Sequence, residues 1–425
     1  MDKTQNIGFI SFRFAGTDGV SLETAKWATV LENMGYNCFF MAGELDTPNE
    51  KSFFEQKLHF QDEEIKEIYS LCFSKKQRER SVTNRILQVK EHIKDKIYDF
   101  ISTYKITMLI SQNALTIPLN IPLGIALTEV IVETNMPVIA HHHDFFWERK
   151  RFLINCVWDY MNMCYPPHLH NIEHIVINSS AQNQLALRCG ISSTLIPNVM
   201  NFEFGPPPID DYNSHVRRDL GIADDELFIL QPTRVVQRKG IEHAIELVAQ
   251  IKQKSVLVIS HASGDEGYEY QIRVREYAKM MNIRAIFVDE IIQENRGTTE
   301  DGRRIYSLED IYPHADLVTY PSLIEGFGNA FLEALWFRKP ILVNNYSIYS
   351  TDIKPKGFKV IEMDDFISDN TVKQTERVLK DKNLAREMTE HNYSLALKHY
   401  SYQILRSQLR AVITRHWGND CLGTI

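Results

Sequence analysis

Short apolar segments and longer amphipathic segments alternate along most of the chain. Short runs rich in Val, Ile, Leu and Phe predict buried strands, and apolar positions three or four apart predict helices. The predicted strands are residues 7–14, 36–42, 107–111, 137–140, 174–178, 194–198, 227–231, 255–260, 285–290, 316–320 and 339–343. The predicted helices are residues 22–34, 241–251, 307–312, 330–337, 371–398 and 402–417, with a charged helical region over 50–101. This alternation predicts an α/β protein with doubly wound parallel sheets.

Composition narrows the class of protein. A length of 425 residues suggests two or three domains, and 44% apolar with 24% charged residues is typical of a globular protein. The net charge of −8 argues against a general nucleic-acid or anionic-membrane binder. No apolar run is long enough to span a bilayer, and the first residues lack a secretory pattern. Scattered cysteines without Cys-x-x-Cys predict free thiols in a reducing cytoplasm; they are Cys38, Cys72, Cys156, Cys164, Cys189 and Cys421.

The most informative segment is residues 316–337, where a predicted strand is followed by a glycine-rich loop and a helix. Gly326 and Gly328 let backbone N–H groups approach a ligand, and Asn329 is predicted to be the N-cap of the helix. A helix N-terminus after such a loop is an anion site. Glu325 and Glu333 lie beside it, and carboxylates bind sugar hydroxyls better than phosphates. The segment therefore predicts a site for a nucleotide sugar.

The arrangement Pro-Ser-x-x-Glu-Gly-Phe-Gly with Glu-x7-Glu resembles the signature of family 4 retaining glycosyltransferases, and an ordinary strand and helix with surface glutamates is the alternative. The resemblance implies the GT-B fold, in which two Rossmann-like doubly wound domains face a cleft. It implies an acceptor domain over 1–197 and a donor domain over 198–400. The last segment, 401–425, would be a helix that crosses back to the first domain. The hinge at 197–201 lacks the glycine usual in the family, and residues 261–264 lack its Gly-x-Gly. Residues 205–208, Gly followed by three prolines, support a linker.

The donor-binding residues are assigned mostly from this resemblance. Arg234 and Lys239 follow a strand and precede a helix, which predicts a diphosphate clamp; a solvated basic turn is the alternative. Lys239, Arg234, Glu325 and His143 are the residues to which the resemblance assigns catalysis. It also implies a donor-binding set that comprises Gly16, Gly19, Arg234, Lys239, Gly326, Phe327, Gly328, Asn329 and Glu333. Within this set, Glu333 would bind the ribose and Glu325 the donor sugar.

The acceptor-binding residues lie in the first domain. Three consecutive histidines end the strand at 137–140, but neighbouring strand side chains alternate faces, so they do not converge on one metal ion. In the resembled family a histidine here lies beside the donor sugar, which fits His143. The residues predicted to bind the acceptor are Asp18, Asn113, Asp144, Glu148 and Arg149. Arg149 with Arg151 would suit a carboxylate or phosphate on that acceptor. The basic run at 75–80 is predicted to be a solvated helix face, with binding of an anionic acceptor as the alternative.

Residues 16–23, 142–149 and 312–322 further resemble the mannosylglucosylglycerate synthase branch. That implies hexose transfer, with GDP-mannose as the nucleotide-sugar donor and glucosylglycerate, a small anionic compatible solute, as the acceptor. It also implies a cytoplasmic enzyme that needs no cofactor and no divalent metal, with a homodimer among the open oligomeric states. The alternatives are a UDP-glucose-dependent glucosyltransferase, a lipid-acceptor mannosyltransferase, a retaining disaccharide phosphorylase and a non-catalytic nucleotide-sugar sensor.

Overall fold

A computed structural model describes residues 5–16, 18–262, 267–293 and 295–418. The predictions for Cys421 and for Gly264 lie outside these residues. The chain divides into two compact units: Met1–Asn198 with Tyr402–Ile425, and Val199–Ser401. These bounds differ by one residue from the predicted domain bounds. Among the described residues, no helix is both long and apolar enough to cross a membrane.

The first unit is built on a parallel seven-stranded sheet in the order β3-β2-β1-β4-β5-β6-β7. Its strands are β1 (Asn6–Ile10), β2 (Asn37–Ala42), β3 (Ser52–Phe54), β4 (Met108–Gln112), β5 (Val138–His142), β6 (Ile172–Val176) and β7 (Thr194–Leu195). Its helices are α1 (Gly19–Glu32), α2 (Glu63–Cys72), α3 (Arg80–Tyr104), α4 (Ile121–Thr134), α5 (Trp158–Cys164), α6 (Ser179–Cys189) and α14 (Tyr402–Trp417). The last helix, α14, packs against α1 within this unit.

The second unit has a parallel six-stranded sheet in the order β10-β9-β8-β13-β14-β15, with a separate two-stranded ribbon of β11 and β12. Its strands are β8 (Leu227–Gln231), β9 (Ser255–Ile259), β10 (Arg284–Phe287), β11 (Gly297–Thr298), β12 (Arg304–Ile305), β13 (Leu317–Tyr320), β14 (Ile341–Asn344) and β15 (Ile361–Met363). Its helices are α7 (Val216–Asp219), α8 (Ile241–Gln250), α9 (Glu269–Met280), α10 (Leu308–Ile311), α11 (Asn329–Trp336), α12 (Asp369–Lys380) and α13 (Lys382–Tyr400).

The central strands of both sheets are apolar because helices cover their two faces. Every residue of β4, β5 and β13 is buried. In the sequence, strands buried on both faces are mostly continuous runs of apolar residues and lack the alternation of apolar and polar residues seen in half-exposed strands. In open sheets of this kind ligands bind outside the carboxyl ends of the strands, so the loops after β4, β5, β8 and β13 are where the site is expected.

Several observed elements were not predicted, among them α4, α6, α9 and β15, and three predicted regions differ clearly from the observed elements. The first strand ends at Ile10 rather than continuing to residue 14. The region 50–101, predicted to be helical, contains the edge strand β3 before α2 and α3. The basic run at 75–80, predicted to be a helix face, lies between α2 and α3 except for Arg80, the first residue of α3, and its Arg78 forms an ion pair with Asp159. The helix predicted over 371–398 is two helices, because Asp381 is extended and its carboxylate accepts the N–H groups of Asn383 and Leu384 as an N-cap.

Candidate active site

In the second unit, the loop after β13 packs directly on the loop after β8. The Leu323 N–H donates to the Arg238 carbonyl oxygen at 2.8 Å. Gly240 has φ of +57°, and a Cβ added there would lie 2.6 Å from the Pro321 carbonyl oxygen. Only glycine fits this position, because it tolerates both the left-handed backbone and the close approach. The structure therefore brings together the two segments that the sequence assigned separately to phosphate and sugar.

Glu325 is the centre of this contact. Its carboxylate forms an ion pair with Lys239, and Arg238 lies 3.3 Å away on its other oxygen. The side chains of Glu325 and Lys239 are only 9% and 11% exposed. Burial by itself would raise the pKa of the Glu325 carboxyl, but the two cations hold that pKa below its ordinary value. Burial lowers the pKa of Lys239, and the Glu325 carboxylate opposes that shift.

Arg238 was not predicted to belong to the site. Its signal in the sequence is its place beside Lys239 in Gln-Arg-Lys-Gly, where two cations precede a left-handed glycine. Arg234, which was predicted, is exposed, and within the described ranges it has no carboxylate within ion-pair distance. His261 lies close enough for Lys239 and Arg234 to act on it: burial, reinforced by these two cations, lowers the pKa of His261 to about 4. The loops thus form a positively charged region suited to an anion.

The glycine-rich loop is held in place by tyrosines. Gly328 has φ of +123°, and a Cβ there would lie 2.9 Å from the hydroxyls of both Tyr320 and Tyr346. The Tyr346 hydroxyl donates to the Phe327 carbonyl oxygen at 2.6 Å, and Phe327 is buried. The prediction that Asn329 is the N-cap is wrong: Gly328 is the N-cap, and Asn329 is the first residue of α11. The turn needs a positive φ at the cap, and glycine adopts that conformation with the least strain.

The other predicted donor residues of the second unit lie around the start of α11. Gly326 is exposed in the loop, between the ion-paired Glu325 and the buried Phe327. Glu333 lies in the helix, where its Oε2 accepts a hydrogen bond from the hydroxyl of buried Tyr312 at 2.8 Å. Tyr312 thereby orients one carboxylate oxygen of Glu333.

In the first unit, polar side chains at the ends of β4 and β5 hold each other. Asn113 has φ of +58°, and its Oδ1 accepts the His143 N–H at 2.9 Å. Its Nδ2 donates to the Asp144 carboxylate at 2.9 Å. Asn113, predicted to bind the acceptor, therefore clamps the two predicted site residues that follow β5.

Arg149 and Glu148 are also engaged within the protein. Arg149 forms an ion pair with Asp144, so its charge is balanced. Arg151 instead lies over the Phe152 ring, with 4.8 Å between the guanidinium carbon and the ring centroid. The Glu148 carboxylate accepts the Phe145 N–H at 3.2 Å, and desolvation of this group raises its pKa. Arg149 and Arg151, predicted together to bind an anionic group of the acceptor, therefore have different surroundings: Arg149 is paired with a carboxylate, and Arg151 lies over an aromatic ring.

Asp18 caps α1. Its Oδ1 accepts the N–H groups of Val20 and Ser21 at 3.0 and 3.3 Å, and its Oδ2 lies 3.3 Å from Arg13. Gly19, predicted to be in the loop, is the first residue of α1. Gly16 has φ of +67°, and its N–H donates to the Asp46 carboxylate at 2.7 Å.

The three consecutive histidines point to different partners. The His141 ring stacks on Trp27 with 4.2 Å between centroids, and His142 Nε2 lies 2.9 Å from His174 Nδ1. His143 Nε2 lies 3.1 Å from the Gln112 side-chain oxygen. Across the described part of the chain, no group of three or more His, Cys, Asp or Glu side chains is placed to hold a metal ion.

Comparisons with known proteins agree with this architecture. Residues 213–395 match the family model for glycosyl transferases group 1. The chain is 32% identical over 392 residues to the mannosylglucosylglycerate synthase of Petrotoga mobilis, covering 84% of this chain and 86% of that one. It is 31% identical to the Thermotoga maritima enzyme of the same name, covering 95% and 98% over an alignment of 450 residues.

Among solved structures, sucrose-phosphate synthase from Thermosynechococcus elongatus aligns with a TM-score of 0.68 at 15% identity, covering 97% of this chain and 98% of that one. A likeness at this identity shows the fold alone: two Rossmann-like parallel-sheet domains of the GT-B type, as predicted. The chain belongs to the glycosyl transferases group 1, in the family of the mannosylglucosylglycerate synthases.

Proposed function

We propose that this glycosyltransferase moves mannose from GDP-mannose to glucosylglycerate, with retention at the anomeric carbon and without an essential divalent metal. The names of the relatives support the donor sugar and the acceptor. The observation that carries the proposal is the buried Glu325 held between Lys239 and Arg238 on the loops after β8 and β13.

The charge of these loops suits a leaving diphosphate. Arg234, Arg238 and Lys239 carry three positive charges against the one negative charge of Glu325, which leaves an excess of two. Fixed charges aimed at a developing negative charge are the largest catalytic contribution in many enzymes. In this proposal the three cations neutralise the diphosphate, and no metal ion is needed for that purpose.

Glu325 acts as a ligand of the donor sugar rather than as a covalent nucleophile. Its carboxylate is already engaged by two cations, which lowers its basicity. The bond between the sugar anomeric carbon and the diphosphate oxygen breaks, and the acceptor oxygen bonds to the same face of that carbon. The acceptor proton passes to the leaving phosphate oxygen, so that charge and atoms balance. Glu333, oriented by Tyr312, binds the ribose.

In the first unit, we propose that His143 contacts the donor sugar and that Asp144, Glu148 and Arg149 contribute to acceptor binding. Burial lowers the pKa of His143 to about 4, so its ring is neutral near pH 7. A neutral imidazole both donates and accepts a hydrogen bond, which suits a sugar hydroxyl.

The test is a direct assay of the purified chain with GDP-mannose, UDP-glucose and ADP-glucose, each with glucosylglycerate and with or without a chelator. We expect GDP-mannose to be consumed, turnover to survive chelation, and the NMR coupling constants of the product to show the donor's anomeric configuration. Preference for another nucleotide would contradict the donor assignment, and an inverted product would contradict retention.

Three further measurements address the remaining alternatives. Release of sugar phosphate from a disaccharide plus inorganic phosphate, without turnover of any nucleotide sugar, would favour the phosphorylase. Transfer to a glycolipid acceptor in vesicles, with vesicle flotation of the protein, would favour the lipid-acceptor enzyme. Binding of GDP-mannose without any turnover would favour a sensor.

A further inference from the structure

Gln112 is a polar residue with no assigned role at the end of β4. Its side chain is fully buried, and in the parallel pairing of the sheet it lies opposite His141. Its Oε1 is 3.1 Å from Nε2 of His143, and its own Nε2 has no hydrogen-bond partner among the described residues. Burying an amide that is only partly hydrogen-bonded costs free energy of folding, so a functional role for its hydrogen bond with His143 would account for that cost.

The surroundings leave the His143 ring little freedom. Asn113 fixes the His143 backbone by accepting its N–H. The His141 ring lies 4.3 Å from the His143 ring, centroid to centroid, and is itself stacked on Trp27. The backbone and one face of the His143 ring are thus restrained. The hydrogen bond to Gln112 then determines which nitrogen of the His143 ring carries the proton.

We propose that Gln112 is a positioning residue, whose Oε1 accepts the Nε2–H of His143 and thereby holds this histidine in the Nε2–H tautomer. Nδ1 then carries the free lone pair and accepts a hydrogen bond from a hydroxyl of the donor sugar. The inference deepens the proposed function, on which the role of His143 rests.

The charged groups near His143 would otherwise favour protonation. Asp144, which is paired with Arg149, and Asp18, which is paired with Arg13, both act to raise the pKa of this histidine. Burial outweighs them and holds the ring neutral. A neutral amide such as Gln112 does not stabilise the imidazolium as a carboxylate would, so it preserves this state while still defining the tautomer.

The experiment uses histidine-labelled full chain and long-range ¹H–¹⁵N NMR, which distinguishes the two nitrogens of each ring. We expect His143 in the native protein to be neutral at pH 7 with the proton on Nε2. In Gln112→Met the single tautomer is lost. Thr116→Val is the matched control, because Thr116 lies 2.5 Å from Nδ1 of the neighbouring His142, so its loss should change the signals of His142 and of His174, the partner of His142, but not those of His143. A native His143 with the proton on Nδ1, or unchanged His143 signals in Gln112→Met, would overturn the proposal.

Kinetics add a readout that a purely structural role would not change. Gln112→Met should lower kcat by about tenfold, the size expected from one lost hydrogen bond, with KM for the donor little changed. Gln112→Glu keeps the acceptor and restores kcat at high pH, but its carboxylate favours the imidazolium, so activity falls as the pH is lowered. Equal pH profiles in Gln112→Glu and the native enzyme would count against the proposal. Because the NMR measurement needs no turnover, absence of transferase activity would refute the proposed function and leave this inference open to its own test.

Discussion

The ammonium group of Lys239 is ion-paired to the carboxylate of Glu325, although 86 positions separate the two residues in the chain. The contact joins a residue predicted to bind phosphate to one predicted to bind the donor sugar. It is formed because the loops after β8 and β13, two neighbouring strands, leave the sheet at the same edge. The pair therefore fixes the geometry of both loops as well as their charge.

Removing the Lys239 charge should impair turnover. We expect Lys239→Ala to lower kcat by roughly a hundredfold, in line with the loss of one electrostatic stabiliser of the leaving group. Lys239→Arg, which keeps the positive charge, should retain more of the native kcat than Lys239→Ala. Lys254→Ala, at a 60% exposed lysine of the same unit, is the control and should retain activity. Near-normal turnover of Lys239→Ala would contradict the phosphate role.

The same ion pair should be coupled energetically. Lys239→Met or Glu325→Gln alone leaves a buried charge without its main partner, and each should destabilise the second unit by about 3 kcal/mol. The double variant removes both charges and should be more stable than the sum of the single effects implies. Unfolding midpoints in urea for the four proteins measure this coupling. Additive effects would show that the pair is not coupled.

Gly328 should be intolerant of any side chain. Alanine at this position requires a positive φ and meets the hydroxyls of Tyr320 and Tyr346, so we expect Gly328→Ala to lower stability by roughly 2 kcal/mol. Gly190→Ala is the matched control, because Gly190 has φ of +67° with no atom within 4 Å of the added Cβ. Thermal unfolding measures the loss of stability in both variants. A smaller loss in Gly190→Ala than in Gly328→Ala gives the contribution of the steric clash. Equal losses would attribute the whole effect to the backbone.

Asp18 allows capping to be separated from ligand binding. Asp18→Ala should destabilise α1 by about 1 kcal/mol because it removes the N-cap. Asp18→Ser keeps a capping oxygen and should retain most of that stability. If Asp18 also binds the acceptor, Asp18→Ser raises KM for glucosylglycerate at near-native thermal stability. An unchanged KM would restrict Asp18 to its capping role.

Acid should destabilise the first unit through buried histidines. Burial lowers the pKa of His174 to about 4, below the value of 6.5 for an unperturbed histidine. The unfolded chain therefore binds the proton first, and stability is lost as the pH falls from about 6.5 towards 4, by up to roughly 3 kcal/mol for this residue. His174→Gln should flatten the dependence of the melting temperature on pH. The same change at exposed His170 controls for the introduced glutamine, and equal slopes in both variants would contradict the assignment.

The loop at 321–328 and the helix after it could be predicted because their signals are local. A strand ended by Pro321, two glycines and an apolar helix follow one another without interruption, and only the identity of the cap was wrong. The break between α12 and α13 at Asp381 was not predicted, because a single acidic residue within an amphipathic segment does not by itself indicate that one helix ends and another begins. Edge strand β3 has three residues, too few to show a period.

The sequence by itself determined the two α/β units, most of their core strands and the residue types available at the strand ends, since these follow from periodicity and turn chemistry along the chain. It did not show helices such as α4, α6 and α9. Only the tertiary structure decided what those residues touch: Glu325 pairs with Lys239 and Arg238, Asn113 clamps Asp144, and Gln112 meets His143. The partner of a polar side chain depends on which loops, distant in sequence, lie together at the carboxyl edge of a sheet. Strand pairing determines which loops these are, and local sequence does not.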